Sequence, residues 1–191
     1  VFESWRYSRD EATPILIMEH PASSDKNLSI RRATPDDAAR LSKVIMTASE
    51  SVKGDDFNDQ GWALLERTNT PEAFKSRFGN PDYFALVYEQ GHTILGYLAM
   101  VDYEKIDHMF VLPGFRNKGI SKNLWSAAKS ICAAHGNTGF YWVRSSSYAQ
   151  KVYESFGFRA TQARQTLNGI SFVFMELRED ATSNQSQRFE T

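Results

Sequence analysis

Hydrophobic and polar positions alternate along LSIRRA (28–33), a strand pattern, and then shift to helical spacing with Leu41, Val44, Ile45 and Ala48 on one face. TPDD marks the change of period. Thr34 predicts an N-cap, Pro35 the first helical position, and Asp36 and Asp37 suit the positive end of the helix dipole. A second helix is predicted over roughly 58–67, and TPEAF repeats the Thr-Pro start for a third. Two strands follow, YFALVYE and TILGYLAMVD, joined by the turn QGH, and KIDHMFVL is another. Ile120, Leu124, Ala127, Ala128 and Ile131 share the face of a helix that closes at Gly136, where a left-handed residue is wanted. GFYWVR reads as a buried strand. In SYAQ, Ser147 predicts a cap with Gln150 reaching back, for a helix that carries Ala149, Val152, Tyr153 and Phe156 on one face and stops at Gly157. Two last strands flank Asn168-Gly169, a strong hairpin turn. The order βαααβββαβαββ predicts an α/β (α+β) fold: a mixed central sheet of about six to seven strands with helices on both faces.

The ends break this regularity. Residues 1–27 read as an N-terminal extension, either added ahead of a natural start at Met18 or a native arm whose PILIM pairs with a sheet edge. Residues 28–178 form the expected domain, and the polar stretch 179–191 reads as a frayed tail.

Composition narrows the function. The chain has 191 residues and a 41% hydrophobic share, enough for one domain with a core. Lys+Arg (22) and Asp+Glu (23) nearly balance, which argues against a nucleic-acid partner. No apolar run reaches membrane-spanning length and no signal peptide is visible. The single Cys132 excludes an internal disulfide and points to a reducing cytoplasm. His20, His92, His108 and His135 lack metal-ligand spacing, so no metal is expected.

The most informative stretch is VLPGFRNKGISKNLW (111–125), a strand end, a turn and a helix start. A helix N-terminus presents unpaired N–H groups and a positive dipole end, and glycine lets a ligand approach the backbone. With Arg116, Lys118, Gly119 and the hydroxyl of Ser121, the turn suits a pyrophosphate. The alternative is an ordinary strand-to-helix loop with solvated cations.

The same residues, VLPGFRNKGIS, resemble the R/Q-x-x-G-x-G/A coenzyme A motif of the GNAT (GCN5-related) N-acetyltransferase family. SSSYAQKVYESFGF resembles that family's N-x-x-A-x-x-x-Y-E-x-x-G-F helix, and LSIRRATPDDAARL its first strand and helix. KIDHMFVLP and NGISFVFMEL are similar to a bacterial, small-molecule-type branch. Ser121 stands where the motif has Gly or Ala, and Ser146 where it has Asn.

The resemblance implies acetyl-CoA as cosubstrate. Met109, Phe110 and Val111 would run alongside the pantetheine, in a splay between their strand and FYWVR. Arg116, Asn117, Lys118, Gly119, Ile120 and Ser121 would hold the pyrophosphate, and Ser146 would contact the cofactor. Tyr153 falls on the motif's tyrosine, the proton donor to the leaving thiolate; spacing by itself fits a core tyrosine. Lys105 stands where some members place a catalytic Glu. That leaves Asp107 as first candidate base, on the strand face of Lys105, then His108 facing the other way, then a water relay. In KGDDFNDQGW, Asp55, Asp56 and Asp59 would attract a cationic amine or form an exposed acidic loop, and Phe57, Trp62 and Tyr83 would be substrate walls or core aromatics.

The expected activity is acetyl transfer to a primary amine of a small molecule or peptide, with no nucleic acid or membrane involved and a homodimer as an open alternative to a monomer. Transfer from another acyl-CoA and a catalytically silent CoA-binding sensor or adaptor are the competing readings.

Overall fold

The computed structural model describes residues 28–54 and 56–179. The arm carrying PILIM, Asp55 and the tail beyond 179 lie outside the described residues. The strands are β1 (Leu28–Arg32), β2 (Tyr83–Gln90), β3 (Thr93–Val101), β4 (Lys105–Val111), β5 (Phe140–Ser145), β6 (Arg159–Ala160), β7 (Gln165–Leu167) and β8 (Ile170–Arg178). The helices are α1 (Ala38–Glu50), α2 (Asp59–Thr68), α3 (Pro71–Phe78), α4 (Ile120–Ala134) and α5 (Gln150–Ser155).

One eight-stranded mixed sheet runs β1-β2-β3-β4-β5-β8-β6, with β7 paired to β8. The strand beyond the expected six to seven is β6, whose two residues are too few to show an alternation. β1 to β4 form an antiparallel meander, and β4 meets β5 in parallel. Each face of the sheet carries its own apolar cluster. Leu98, Met100, Ile106, Tyr141 and Met175 pack under α4 and α5. Val87, Tyr97 and Ala99 pack under α1 and α3 with Leu41, Ile45 and Phe74.

Local chemistry sets the element ends. The Thr34 N–H donates to Asp37 Oδ2 at 2.9 Å across Pro35, and a 3₁₀ turn over Pro35–Asp37 leads into α1. Asn58 caps α2 through Gly61 N–H (3.0 Å), and Thr70 caps α3 through Ala73 N–H (3.2 Å). The Asn168-Gly169 turn has both residues at positive φ, 51° and 79°, as a tight hairpin requires. A Cβ on Gly61 would fall 2.1 Å from the Gly169 carbonyl oxygen, so only glycine lets α2 rest on that hairpin. No described helix is long and apolar enough to cross a membrane.

Candidate active site

β4 pairs with β3 along its length, but its parallel pairing with β5 is confined to Lys105↔Trp142 and Ile106↔Val143. Beyond those pairs the strands diverge while β5 stays bonded to β8 through Ser145. The divergence opens a cleft of about 460 Å³, a size suited to a small ligand or part of a larger one. Met109, Phe110 and Val111 line it from β4, and Ser146, Ala149, Val152 and Phe156 line it from the turn before α5, from that helix and from its C-terminal end.

The cleft runs onto the N-terminus of α4. After a 3₁₀ turn at Pro113–Phe115, Asn117 takes φ 61° and Gly119 takes φ 78°, and α4 begins at Ile120. The first bond closing this helix joins Asn123 N–H to the Gly119 carbonyl at 3.0 Å, so the N–H groups of Ile120, Ser121 and Lys122 have no partner within it. A Cβ on Gly119 would meet nothing within 4 Å, which leaves the backbone open to close approach. Arg116, Asn117, Gly119, Ile120 and Ser121 all line the cleft, together with Lys122, and no described acidic side chain does. Unpaired N–H groups, a dipole end, cations and an open glycine make an anion cradle. Lys118 is not part of the lining; its ammonium lies 5.0 Å from the centre of the Phe115 ring.

Arg116 is fixed by several acceptors. Its Nη2 donates to the Ala48 carbonyl (3.1 Å) and Ser51 Oγ (2.9 Å) at the C-terminal end of α1, and its Nε donates to the Val111 carbonyl (3.3 Å). A cation at a helix C-terminus is favoured by the dipole.

The base candidates stand where the β4–β5 pairing ends. Their strand holds a bulge: Ala99 faces His108 and Met100 faces Ile106, with Asp107 as the extra residue. This corrects the expectation that His108 points away from Asp107, because a bulge places two successive side chains on one face. His108 Nδ1 lies 3.9 Å from Asp107 Oδ2, and Lys105 Nζ donates to Asp107 Oδ1 at 2.5 Å. Burial would lift the Asp107 carboxyl, but His108, Lys105 and Arg77 outweigh it and hold it below the usual carboxylate value. Burial dominates at His108 and lowers its pKa to about 4. At neutral pH the pair is therefore a carboxylate beside a neutral imidazole.

Tyr153 is 4% exposed, packs edge-on against Phe158 (5.5 Å between centroids) and is not among the residues lining the cleft. Burial pushes its phenol well above the ordinary value, so it carries its proton at any working pH.

Two further expectations are corrected. Ser147 does not cap α5. Its N–H and hydroxyl both donate to the Asp56 carboxylate at 2.8 Å, and Ser146 Oγ instead accepts from Ala149 N–H at 3.2 Å. Asp56 is accordingly buried, with Arg164 Nη2 at 3.0 Å, and ties the segment before α2 to the segment before α5 rather than attracting an amine. Asp59 is exposed at the start of α2, and Asp55 lies outside the described residues. Tyr83 is a core residue, and Phe57 and Trp62 pack edge to face at 6.1 Å.

Ala48, Val52, Phe115, Lys122, Tyr148 and Ser155 also line the cleft and escaped the sequence reading. Ala48 had a visible signal, but as a core position on α1. Tyr148, 55% exposed, sits in a serine-rich turn with no period to assign it.

A model of the acetyltransferase (GNAT) domain matches residues 53–179. A search of curated proteins finds no match. Among solved structures, the chain is similar to a GCN5-related N-acetyltransferase of Rhodopseudomonas palustris (18% identity, 83% of this chain and 99% of that one, TM-score 0.69). It is also similar to the PaiA N-acetyltransferase of Thermoplasma acidophilum, solved with coenzyme A (16% identity, 80% and 99% covered, TM-score 0.67). A GNAT family acetyltransferase of Brucella melitensis, solved with acetyl-CoA, matches at 20% identity over 80% and 88% of the two chains, with TM-score 0.53. These structures share the fold, and with a domain model spanning most of the sheet, the cleft and the α4 cradle, the chain belongs to the GNAT acetyltransferase family.

Proposed function

We propose that the protein is an acetyl-CoA-dependent N-acetyltransferase acting on a primary amine of a small molecule or peptide. The observation that carries this reading is the divergence of β4 and β5, which opens a cleft leading onto the free N-terminus of α4. The two relatives solved with coenzyme A or acetyl-CoA support the choice of cosubstrate. The cradle residues Arg116, Asn117, Gly119, Ile120 and Ser121 hold the pyrophosphate, with Lys118 adding charge from outside the lining. Met109, Phe110 and Val111 run alongside the pantetheine, and Ser146 bounds it opposite. The carbonyl of the thioester is polarised by a backbone N–H in 109–111. The acceptor nitrogen approaches at the end of the β4–β5 pairing, where Asp107 and His108 take its proton. Tyr153 returns a proton to the leaving sulfur.

A CoA-binding module without turnover is the second reading, favoured by the enclosure of Tyr153 among Phe156 and Phe158. Thermal shift with acetyl-CoA, beside thiol release across a panel of amines, decides between them. Stabilisation with turnover on at least one amine supports the transferase; stabilisation with no turnover supports the module; no stabilisation overturns both.

A further inference from the structure

Four buried polar atoms without a hydrogen-bond partner belong to residues that gather beside β4: Arg77 Nη1, Tyr83 Oη, Tyr97 Oη and His108 Nδ1. They come from α3, β2, β3 and β4, so no single element explains them. The aromatic rings join them. The Arg77 guanidinium lies 4.9 Å from the centre of Phe74, Phe74 lies 6.1 Å from Tyr97, and Tyr97 lies 5.8 Å from His108. Tyr83 and Tyr97 are each within electrostatic reach of Asp107 and Arg77, as is His108. Lys105 completes the set by its bond to the other oxygen of Asp107.

Buried polar groups in native proteins are nearly always satisfied, and a polar pair separated by more than a hydrogen bond calls for a bridging water. His108 Nδ1 and Asp107 Oδ2, 3.9 Å apart, are such a pair. The surrounding groups suit a water better than an anion. Asp107 already supplies the negative charge, Arg77 can only donate, and the two tyrosine hydroxyls can donate or accept.

We propose that an ordered water joins His108 Nδ1 to Asp107 Oδ2 and is held by the Tyr97 hydroxyl with help from Tyr83 and Arg77, which fixes the imidazole with its hydrogen on Nδ1 and its lone pair on Nε2. The catalytic part rests on the transferase reading above; the tautomer does not. Nδ1 keeps its hydrogen because it donates to the water, which in turn donates to the Asp107 carboxylate, and the other ring nitrogen is left as the acceptor. As the amine nitrogen bonds the thioester carbonyl, its N–H bond breaks and the proton goes to Nε2. The C–S bond then breaks and its sulfur takes one proton from the Tyr153 hydroxyl. The imidazolium releases its proton to solvent and the phenolate regains one from it, so the single proton lost by nitrogen balances the one gained by sulfur. Tyr97, Tyr83 and Arg77 are positioning residues in this scheme.

The test is ¹⁵N imidazole spectroscopy of His108 at neutral pH, with no acyl substrate present, in the wild type, Tyr97→Phe and Arg77→Met. The expected result is the Nδ1–H tautomer in the wild type and a mixture of tautomers in both variants. Alongside it, the acid limb of the kcat/KM profile in Tyr97→Phe should move by roughly one pH unit, a tenfold change in proton affinity. Should Tyr97→Phe fail to fold, Tyr83→Phe replaces it. An Nε2–H tautomer in the wild type, or unchanged tautomer and pH profile in the variants, overturns the proposal. The Nδ1–H tautomer in a wild type that turns over no amine upholds the water bridge while overturning the transferase reading.

Discussion

The guanidinium of Arg116 lies 4.9 Å from the centre of the Tyr148 ring, with Nη1 donating to the tyrosine hydroxyl at 3.3 Å. The contact joins the turn before α4 to the turn before α5, and both residues line the cleft. Its two partners should therefore act as a unit on cosubstrate binding. Arg116→Ala should weaken acetyl-CoA binding about tenfold, through loss of a cation and of a tie to α1. Tyr148→Ala should weaken it less, and the double variant should resemble Arg116→Ala in titration calorimetry. Full additivity would mean that the two residues contribute separately.

Gly119 provides the sharpest test of the cradle. Its φ of 78° disfavours any L side chain, and a Cβ there would occupy the open space that a phosphate needs. Gly119→Val should remove the thermal shift with acetyl-CoA while circular dichroism shows the helices retained. Ser121→Ala should cost roughly 1 kcal/mol of binding if its hydroxyl bonds a phosphate oxygen. An undiminished shift in Gly119→Val would place the pyrophosphate elsewhere.

Tyr153→Phe keeps the ring between Phe156 and Phe158 and deletes only the hydroxyl. Acetyl-CoA affinity should hold, and kcat should fall by roughly 10²-fold, the scale of a lost general acid. Steady-state kinetics paired with thermal unfolding distinguish the roles: a changed melting temperature with an unchanged rate makes this a core tyrosine alone.

Asp37 governs acid stability. It is 1% exposed and is bonded by Arg31 at 2.7 Å, by Thr34 N–H at 2.9 Å, and by Arg40. Burial would raise its pKa, but the Arg31 hydrogen bond, the Thr34 N–H and the charges of Arg31 and Arg40 prevail and hold it at about 2, against an ordinary 3.8. A depressed pKa stabilises the fold above the unfolded value and loses that stabilisation as pH falls toward the folded one. Unfolding free energy should therefore decline between about pH 4 and pH 2. Asp37→Asn should flatten that part of the profile and cost roughly 2 kcal/mol at neutral pH, because the buried carboxylate's bonds are lost while the half-exposed Arg31 and Arg40 keep their access to water. An equally steep profile in the variant would assign the acid sensitivity to other carboxylates.

What the sequence determined by itself was local. The Thr-Pro starts of α1 and α3, the Asn168-Gly169 hairpin and the left-handed Gly119 and Gly136 depend on backbone preferences within a few residues, so their chemistry is written where they act. The glycine turn feeding α4 was legible for the same reason, because its geometry needs no distant partner. Tertiary structure decided the rest. The bulge at Asp107 depends on how β4 pairs with β3, and it reversed the side on which His108 points. Ser147 gave up a cap that its spacing predicted because Asp56, distant in sequence, offered two charged acceptors. Val152 and Tyr153 share an apolar helix pattern, yet one lines the cleft and the other enters the core. A helical period states which residues are apolar and on which side, but only the neighbouring strands decide whether that side meets protein or open space.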